Sequence, residues 1–170
     1  MQALKIKKDL YWTGVLDPDL RVFDIIMETK YGTSYNSYLL GGSEKNALFE
    51  TSKLSFFGDM KEYIESVESV KNIDYLIMDH TEPDHAGSIE KLLEVNPSLT
   101  IVATGTALRF LKHIINTDFN SIAVKEGDTL SLGDKTLEFM VLPNLHWPDT
   151  MYTYCPEIKT LFTCDSFGYD

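Results

Sequence analysis

The sequence is poor in positive charge. Its 170 residues include 15 Lys and Arg against 26 Asp and Glu, which gives a formal net charge of -11. A protein that binds a phosphate backbone or an anionic membrane surface needs clustered Lys and Arg. The charge therefore argues against nucleic-acid and membrane-surface binding, and it favours a solvated acidic surface.

Cysteine and long apolar runs are also scarce. Cys155 and Cys164 are too few for a disulfide framework and lack the spacing of a thiolate metal site, so we expect two reduced, partly buried thiols. Residues 1–8 lack the apolar core of a signal peptide, and no stretch approaches the roughly 18 apolar residues of a membrane span. We therefore expect a cytoplasmic protein.

Repeats, low-complexity tracts and linkers are absent as well, which favours a single domain or part of one. The apolar content of 44% is that of a globular protein. Gly41 and Gly42 are interpreted as a turn, because no helix beginning with Lys-Ser or Lys-Thr follows them as it would in a phosphate-binding loop.

The hydrophobic pattern changes twice along the chain. Residues 1–56 have a β pattern, residues 57–115 alternate helix and strand, and the remainder returns to β. The predicted strands are 6–16, 22–27, 33–40, 47–50, 73–79, 100–103, 122–124, 129–134, 137–142, 151–154 and 160–163, and the predicted helices are 57–70, a segment at 89–95 and a segment at 108–115. This order favours a layered α/β sandwich of mixed sheets over a doubly wound parallel sheet.

Four potential metal ligands follow one of these strands. Residues 73–79 form a short apolar run typical of a buried parallel strand, and His80, Glu82, Asp84 and His85 come directly after it. The carboxyl ends of such strands are where layered α/β folds place chemistry. Imidazole combined with carboxylate suits iron, zinc or manganese rather than calcium or magnesium. One ion cannot easily use all four side chains, so the loop predicts two ions.

Two further candidate ligands stand after other predicted strands. His146 follows the strand at 137–142, and Asp165 follows the strand at 160–163. If these strands are neighbours of the strand at 73–79, all six side chains converge on one edge of the fold, and a site is assembled from distant sequence.

Each of these residues also has a purely structural interpretation. Asp84 could cap a helix within a Thr81-x-x-Asp84 capping box, His146 could hydrogen bond within its X-Pro loop, and Asp165 could be a turn residue. Together these interpretations require three of the four histidines to fall beside acids at strand ends by coincidence. The fourth, His113, lies off the apolar stripe of its helix, and we expect it to be solvated.

The pattern His-x-Glu-x-Asp-His at residues 80–85 resembles the signature of the flavodiiron proteins. These are a branch of the metallo-β-lactamase superfamily, whose hydrolases have His where this chain has Glu82. Residues 34–39, 145–151 and 161–168 resemble family segments in the same order, so the resemblance covers essentially the whole chain. The 61 residues from His85 to His146 and the 19 from His146 to Asp165 fit as well.

The resemblance implies an α/β fold, the metallo-β-lactamase-like αββα sandwich, with residues 1–170 supplying about the first two-thirds of the domain. It also implies that one iron is bound by His80, Glu82 and His146, the other by Asp84 and His85, and both by a bridging Asp165. A carboxylate at Glu82 in place of a third imidazole would stabilise ferric iron. Trp147 beside a ligand either walls the pocket or only packs.

The resemblance further implies a function. Family members reduce dioxygen to water, nitric oxide to nitrous oxide, or both, with electrons from FMN in a C-terminal flavodoxin-like domain. It implies a head-to-tail homodimer and an electron donor such as rubredoxin or a flavin reductase. Neither that domain nor a seventh, histidine ligand falls within residues 1–170. We therefore expect a partial diiron domain that is inactive alone and is aggregation-prone unless another chain completes it.

Two other functions stay open. A binuclear metallohydrolase would use zinc or manganese to activate a hydroxide, and it would share the Asp84 and His85 pair, although Glu82 and residues 147–149 disfavour it. The chain could also be an inactive fragment or an assembly subunit.

Overall fold

A computed structural model describes residues 2–23 and 26–167 of the chain. Its strands are β1 Leu4–Lys7, β2 Leu10–Trp12, β3 Val15–Asp17, β4 Val22–Phe23, β5 Met27–Glu28, β6 Thr33–Tyr35, β7 Tyr38–Gly41, β8 Asn46–Phe49, β9 Tyr75–Met78, β10 Thr100–Thr104, β11 Asn120–Val124, β12 Thr129–Ser131, β13 Thr136–Val141, β14 Met151–Cys155 and β15 Thr160–Phe162. Its α-helices are α1 Phe57–Glu65, α2 Pro83–Ala86, α3 Ile89–Val95 and α4 Gly105–Ile114. Short 3-10 turns occupy Leu54–Phe56, Val70–Asn72 and Pro156–Ile158.

The largest sheet has seven strands in the order β1-β2-β7-β8-β9-β10-β11. Pairing is antiparallel from β1 to β8 and parallel from β8 to β11. Strand β9 lies inside the parallel part, and its Leu76, Ile77 and Met78 are fully buried. The prediction of a buried parallel strand ahead of His80 is therefore confirmed, and the predicted ligand loop leaves the sheet at a carboxyl edge.

A second sheet packs on one face of the first. It is antiparallel in the order β12-β13-β14-β15, and an apolar cluster that includes Ile77, Phe49 and Phe139 fills the space between the sheets. Leu76 and Met78, the alternate residues of β9, belong instead to the cluster shared with the helices. Since successive strand side chains point to opposite faces, this alternation fixes the layers as helices, first sheet and second sheet, which agrees with the predicted sandwich.

The helices cover the other face of the first sheet with narrow apolar stripes. Ile89, Leu92 and Leu93 of α3 are buried, and α3 ends before the Asn96-Pro97 pair as the sequence predicts. Helix α4 begins after Thr104, whose hydroxyl accepts a hydrogen bond from the amide of Ala107 at 3.1 Å. None of the helices in the described ranges has the length and apolar character needed to cross a bilayer.

Several predicted boundaries change. Residues 6–16 form parts of three strands, because Asp9 turns the chain with a φ of 61° and Gly14 lies where a Cβ atom would be 2.3 Å from the Tyr35 carbonyl oxygen. The predicted helix at 57–70 ends at Glu65. The predicted strand at 22–27 is an antiparallel β4–β5 pair, and residues 24 and 25 lie outside the described residues.

Candidate metal centre

The six predicted ligands come together at the carboxyl edge of β9. Three of them form a first group, in which Oε2 of Glu82 lies 3.1 Å from Nε2 of His80 and 3.2 Å from Nε2 of His146. Oδ2 of Asp165 completes this group, 3.8 Å from Nε2 of His80. The four ligand atoms lie within 4.8 Å of one another, which is compact enough for one metal ion.

A second group adjoins the first. Nε2 of His85 lies 2.6 Å from Oδ1 of Asp165 and 3.4 Å from Oδ2 of Asp84, and these atoms also lie within 4.8 Å of one another. Asp165 therefore takes part in both groups, with one carboxylate oxygen directed to each. This arrangement has the form of a two-metal site with a shared carboxylate.

Local backbone geometry explains how neighbouring residues serve different groups. Glu82 is extended, with φ -60° and ψ 150°, and helix α2 begins immediately after it at Pro83. The first turn of α2 carries Asp84 and His85 to the second group, while the extended residues before the helix hold Glu82 in the first. His146 and the residue before Asp165, Cys164, have φ values of 70° and 51°, so both loops turn sharply where they meet the site.

The structure speaks against capping as the role of Asp84. The N-cap positions of α2 and of α3, the helix that carries Ile89, are Glu82 and Ser88, and no side-chain hydrogen bond caps either helix. Among the described residues, Oδ1 of Asp84 is buried without a hydrogen-bond partner, and the close contacts of Nε2 of His85 are both with carboxylates, those of Asp165 and Asp84. A buried carboxylate oxygen without a partner is costly unless a cation or a proton donor joins it. The position between Asp84, His85 and Asp165 therefore fits a metal ion.

The pKa shifts of Asp84, His85 and Asp165 are consistent with a cation at this position. Burial raises the pKa of Asp84, and the neighbouring charge of His85 offsets this only in part. Burial opposes the charge of His85, yet Cys164, Asp165 and Glu50 around it raise its pKa well above the usual value. Burial likewise disfavours the ionised form of Asp165, but the hydrogen bond with His85 lowers its pKa. The carboxylates around His85 thus favour a positive charge at this position.

Asp149 supports the ring of His80 and was not identified as a site residue from the sequence. It is fully buried, with Oδ1 3.3 Å from Nδ1 of His80, and its Oδ2 accepts a hydrogen bond from the Thr81 hydroxyl at 2.7 Å. Burial opposes its charge, but these two contacts lower its pKa. The signal in the sequence is an acid three residues after His146, in the same strand-end loop.

Glu50 and Cys164 lie behind the ring of His85. Oε2 of Glu50 is 3.4 Å from Nδ1 of His85, and Sγ of Cys164 is 3.6 Å from the same nitrogen. These three side chains form a further compact cluster of potential ligands. Sequence reasoning missed Glu50, because a single acid at the end of β8 carries no motif until β8 is known to be the neighbour of β9.

Two other residues considered from the sequence, Trp147 and His113, lie beside the site and away from it, respectively. Trp147 packs edge-on against His80, with ring centroids 5.2 Å apart, and also contacts Phe110. His113 is exposed on α4, as predicted. A cavity of about 240 Å³ opens over the site, and it is lined by Phe23, Met27, Thr33, Ser34, Asp84, His146 and Asp165.

Comparison with known proteins adds a family context. The family model described as "ODP family beta lactamase" matches residues 33–169. The chain is 48% identical over 170 residues to the flavo-diiron protein FprA2 of Clostridium acetobutylicum, and the match covers 99% of this chain and 42% of that protein. It is 39% identical over 162 residues to the type A flavoprotein fprA of Rhodobacter capsulatus, covering 94% and 37% respectively.

Solved structures agree. The flavodiiron protein of Giardia intestinalis superposes with a TM-score of 0.91 at 32% identity, over 96% of this chain and 40% of that one. Rubredoxin oxygen:oxidoreductase of Desulfovibrio gigas superposes with a TM-score of 0.89 at 36% identity, over 94% and 40%. The chain thus spans about two-fifths of the length of these relatives.

Proposed function

Because this chain belongs to the ODP family of beta-lactamase-like domains and corresponds to the N-terminal part of flavodiiron proteins, we propose that it holds the diiron centre of an oxidoreductase that reduces dioxygen to water, nitric oxide to nitrous oxide, or both. Its fold is metallo-β-lactamase-like and covers part of that domain. The observation that carries the proposal is the position of Asp165, whose two carboxylate oxygens face two adjoining groups of ligands.

In this proposal each ion has its own donors. The first is held by His80, Glu82 and His146, the second by Asp84 and His85, and Asp165 joins both. Imidazole nitrogens together with carboxylate oxygens suit iron. The buried, unpartnered Oδ1 of Asp84 and the carboxylates around Nε2 of His85 support the second position.

The bound pair of irons would supply electrons two at a time, so that two nitric oxide molecules would need one such delivery and one dioxygen, with its four-electron reduction to water, would need two. The protein's own side chains shape the access route, because Phe23 and Met27 line the cavity over the site together with Thr33 and Ser34, and its volume of about 240 Å³ suits a small substrate. The side chains of His146 and Asp165 are 55% and 42% exposed, so the centre is reached from this side. Trp147 holds the ring of His80 from the flank.

Electrons would come from FMN. The relatives are more than twice as long as this chain, and we assign the FMN to a flavodoxin-like domain in the remainder of such a longer protein, acting as a head-to-tail homodimer. The Desulfovibrio gigas relative is named rubredoxin oxygen:oxidoreductase, which supports a rubredoxin as the donor, and a flavin reductase is the alternative. Both cysteines are free thiols, which supports a reducing, cytoplasmic compartment.

Metal analysis combined with gas consumption tests this function. Protein from iron-sufficient cells should contain two irons per site. It should be inactive alone, and should consume dioxygen or nitric oxide faster than reduced flavin does by itself when reduced flavin is supplied in place of the flavodoxin-like domain. Asp165→Asn should lose both properties, while His113→Ala, a histidine on the surface of α4, should keep them. Zinc in place of iron with ester or thioester cleavage, or no bound metal at all, would overturn the proposal.

A further inference from the structure

The imidazoles of His80 and His85 each have a buried carboxylate next to Nδ1, the ring nitrogen that faces away from Asp165. Asp149 lies 3.3 Å from Nδ1 of His80, and Glu50 lies 3.4 Å from Nδ1 of His85. The two acids are 0% and 3% exposed. In both rings the opposite nitrogen, Nε2, faces Asp165. The two acids come from different parts of the fold, since one lies in the β13–β14 loop and the other at the end of β8.

The two oxygens of Glu50 have separate partners. Oε1 accepts hydrogen bonds from the backbone amides of Asp79 at 2.6 Å and His80 at 3.3 Å, and so ties the end of β8 to the start of the ligand loop. Oε2 is buried and lies 3.4 Å from Nδ1 of His85, a nitrogen that Sγ of Cys164 also approaches, at 3.6 Å. Glu50 also has a φ of 55°, a backbone conformation that is costly for a residue with a long side chain. The carboxylate is thus held in place on one side and directed at an imidazole on the other.

The contact between Glu50 and Nδ1 of His85 determines which nitrogen of the ring carries the proton. A neutral ring carries its proton on one nitrogen and a lone pair on the other, and the partner of one nitrogen decides which is which. An acceptor at Nδ1 holds the proton there and leaves the Nε2 lone pair for a metal. From this geometry we infer that Glu50 is a positioning residue for the second metal, because it fixes the ring and the tautomer of His85. The inference rests on the proposed function.

The pairing also predicts selectivity between the two ions. Glu50 contacts the ring of His85, a ligand of the second ion only, whereas Asp149 contacts the ring of His80, a ligand of the first. Loss of either carboxylate should therefore lower the affinity for one ion and leave the affinity for the other unchanged. Loss of a side chain that only stabilised the fold would lower the affinity for both ions together. Asp149→Asn is thus the matched control for Glu50→Gln, since both changes remove a buried charge behind a ring.

Anaerobic titration of the metal-free protein with ferrous iron measures both binding steps. Glu50→Gln should lower the affinity of one step by about 10–100-fold, the range found for groups that orient a metal-binding histidine, and should leave the other unchanged. Asp149→Asn should affect the other step. In a His85→Ala background Glu50→Gln should change nothing further, because the residue through which it acts is gone.

A measurement on the unaltered protein covers the case in which Glu50→Gln does not fold. Nitrogen NMR of the zinc-loaded wild type should show the proton of His85 on Nδ1 and the metal on Nε2. A proton on Nε2 would overturn the inference. So would two intact binding steps in Glu50→Gln, or an effect of Glu50→Gln that persists in the His85→Ala background.

Two further outcomes separate the remaining explanations. An additional ion that disappears in both Glu50→Gln and Cys164→Ser would make Glu50 a ligand of its own site with His85 and Cys164, and would contradict a positioning role. A wild type that binds no pair of ions would overturn the proposed function together with this inference. A wild type with two ions and a Glu50→Gln variant that binds both with unchanged affinity would overturn the inference alone.

Discussion

At the scale of single residues, the site depends on side chains whose partners come from elsewhere in the sequence. Asp165 lies on a loop after β15, yet its two oxygens face histidines that follow β9. The six candidate ligands could be named from the sequence because each is a His, Asp or Glu that follows a predicted strand, and the family resemblance implied how they divide between two ions. Glu50 and Asp149 could not be assigned roles, since an acid behind a ring is recognised only once the packing of the loops is known.

The shared position of Asp165 predicts a specific pattern of iron loss. Asp165→Asn removes a charged donor from both groups and should lower the affinity for both ions. The loss should be at least about 10–100-fold, the range found when a residue that hydrogen bonds to a metal ligand is changed. His146→Ala removes a donor from the first group only, so one binding step should survive. Iron titration measures both variants. Equal loss of both steps in His146→Ala would contradict the division into two groups.

The thiol of Cys155 gives a second prediction at this scale. Burial, followed by its contact with Glu157, raises the pKa of Cys155 to about 11. Only the thiolate reacts readily, so at pH 8 about one thiol in a thousand is reactive. The native protein should therefore resist a thiol reagent at Cys155 until it is unfolded. The measurement is mass spectrometry after brief alkylation, and full labelling of Cys155 in the native protein would count against the described core.

At the scale of elements, strand β9 connects the core to the site. It pairs in parallel with β8 and β10, and Glu50 binds the backbone just beyond its last residue. The short apolar run at residues 73–79 was enough to predict that β9 is a strand. The end of helix α1 could not be predicted, because Val67 and Val70 continue the helical spacing of apolar residues. In the structure α1 ends at Glu65, and Val70 is buried by a separate 3-10 turn.

A matched pair of isoleucines tests the role of β9. Ile77 is fully buried between the two sheets, whereas Ile122 in β11 of the same sheet is 36% exposed. Ile77→Ala should lower the free energy of unfolding by about 2–5 kcal/mol, because it leaves a cavity. Ile122→Ala should change it by about 0.5 kcal/mol or less, as is usual at a surface. Urea unfolding followed by circular dichroism compares the two, and equal losses would contradict the assigned layers.

At the scale of the whole molecule, acidity and metal binding are linked. The chain has a formal net charge of -11, and several of its acids are concentrated at one edge of the larger sheet, where they face each other or the histidines. The overall layering was predictable because apolar periodicity marks each element, and the resemblance supplied the order of the sheets. The exact strand ends depend on turns such as that at Asp9, which local pattern does not specify.

Removing metal should therefore destabilise the folded chain. A ligand that binds only the folded state at 100 times its dissociation constant adds about 2.7 kcal/mol, and a chain of this size gains about 2–4 °C in Tm per kcal/mol. Metal-loaded protein should melt about 5–10 °C above the chelated protein for each ion at that excess. Asp165→Asn should show a smaller difference. Identical melting curves with and without metal would argue against a site of this composition.

The most direct test of the paired iron centre is a crystal structure of the iron-loaded protein with anomalous scattering measured at the iron absorption edge. Two iron peaks should appear, one among His80, Glu82 and His146 and one beside Asp84 and His85, with the Asp165 carboxylate touching both. A single peak, or iron bound away from Asp165, would contradict the account.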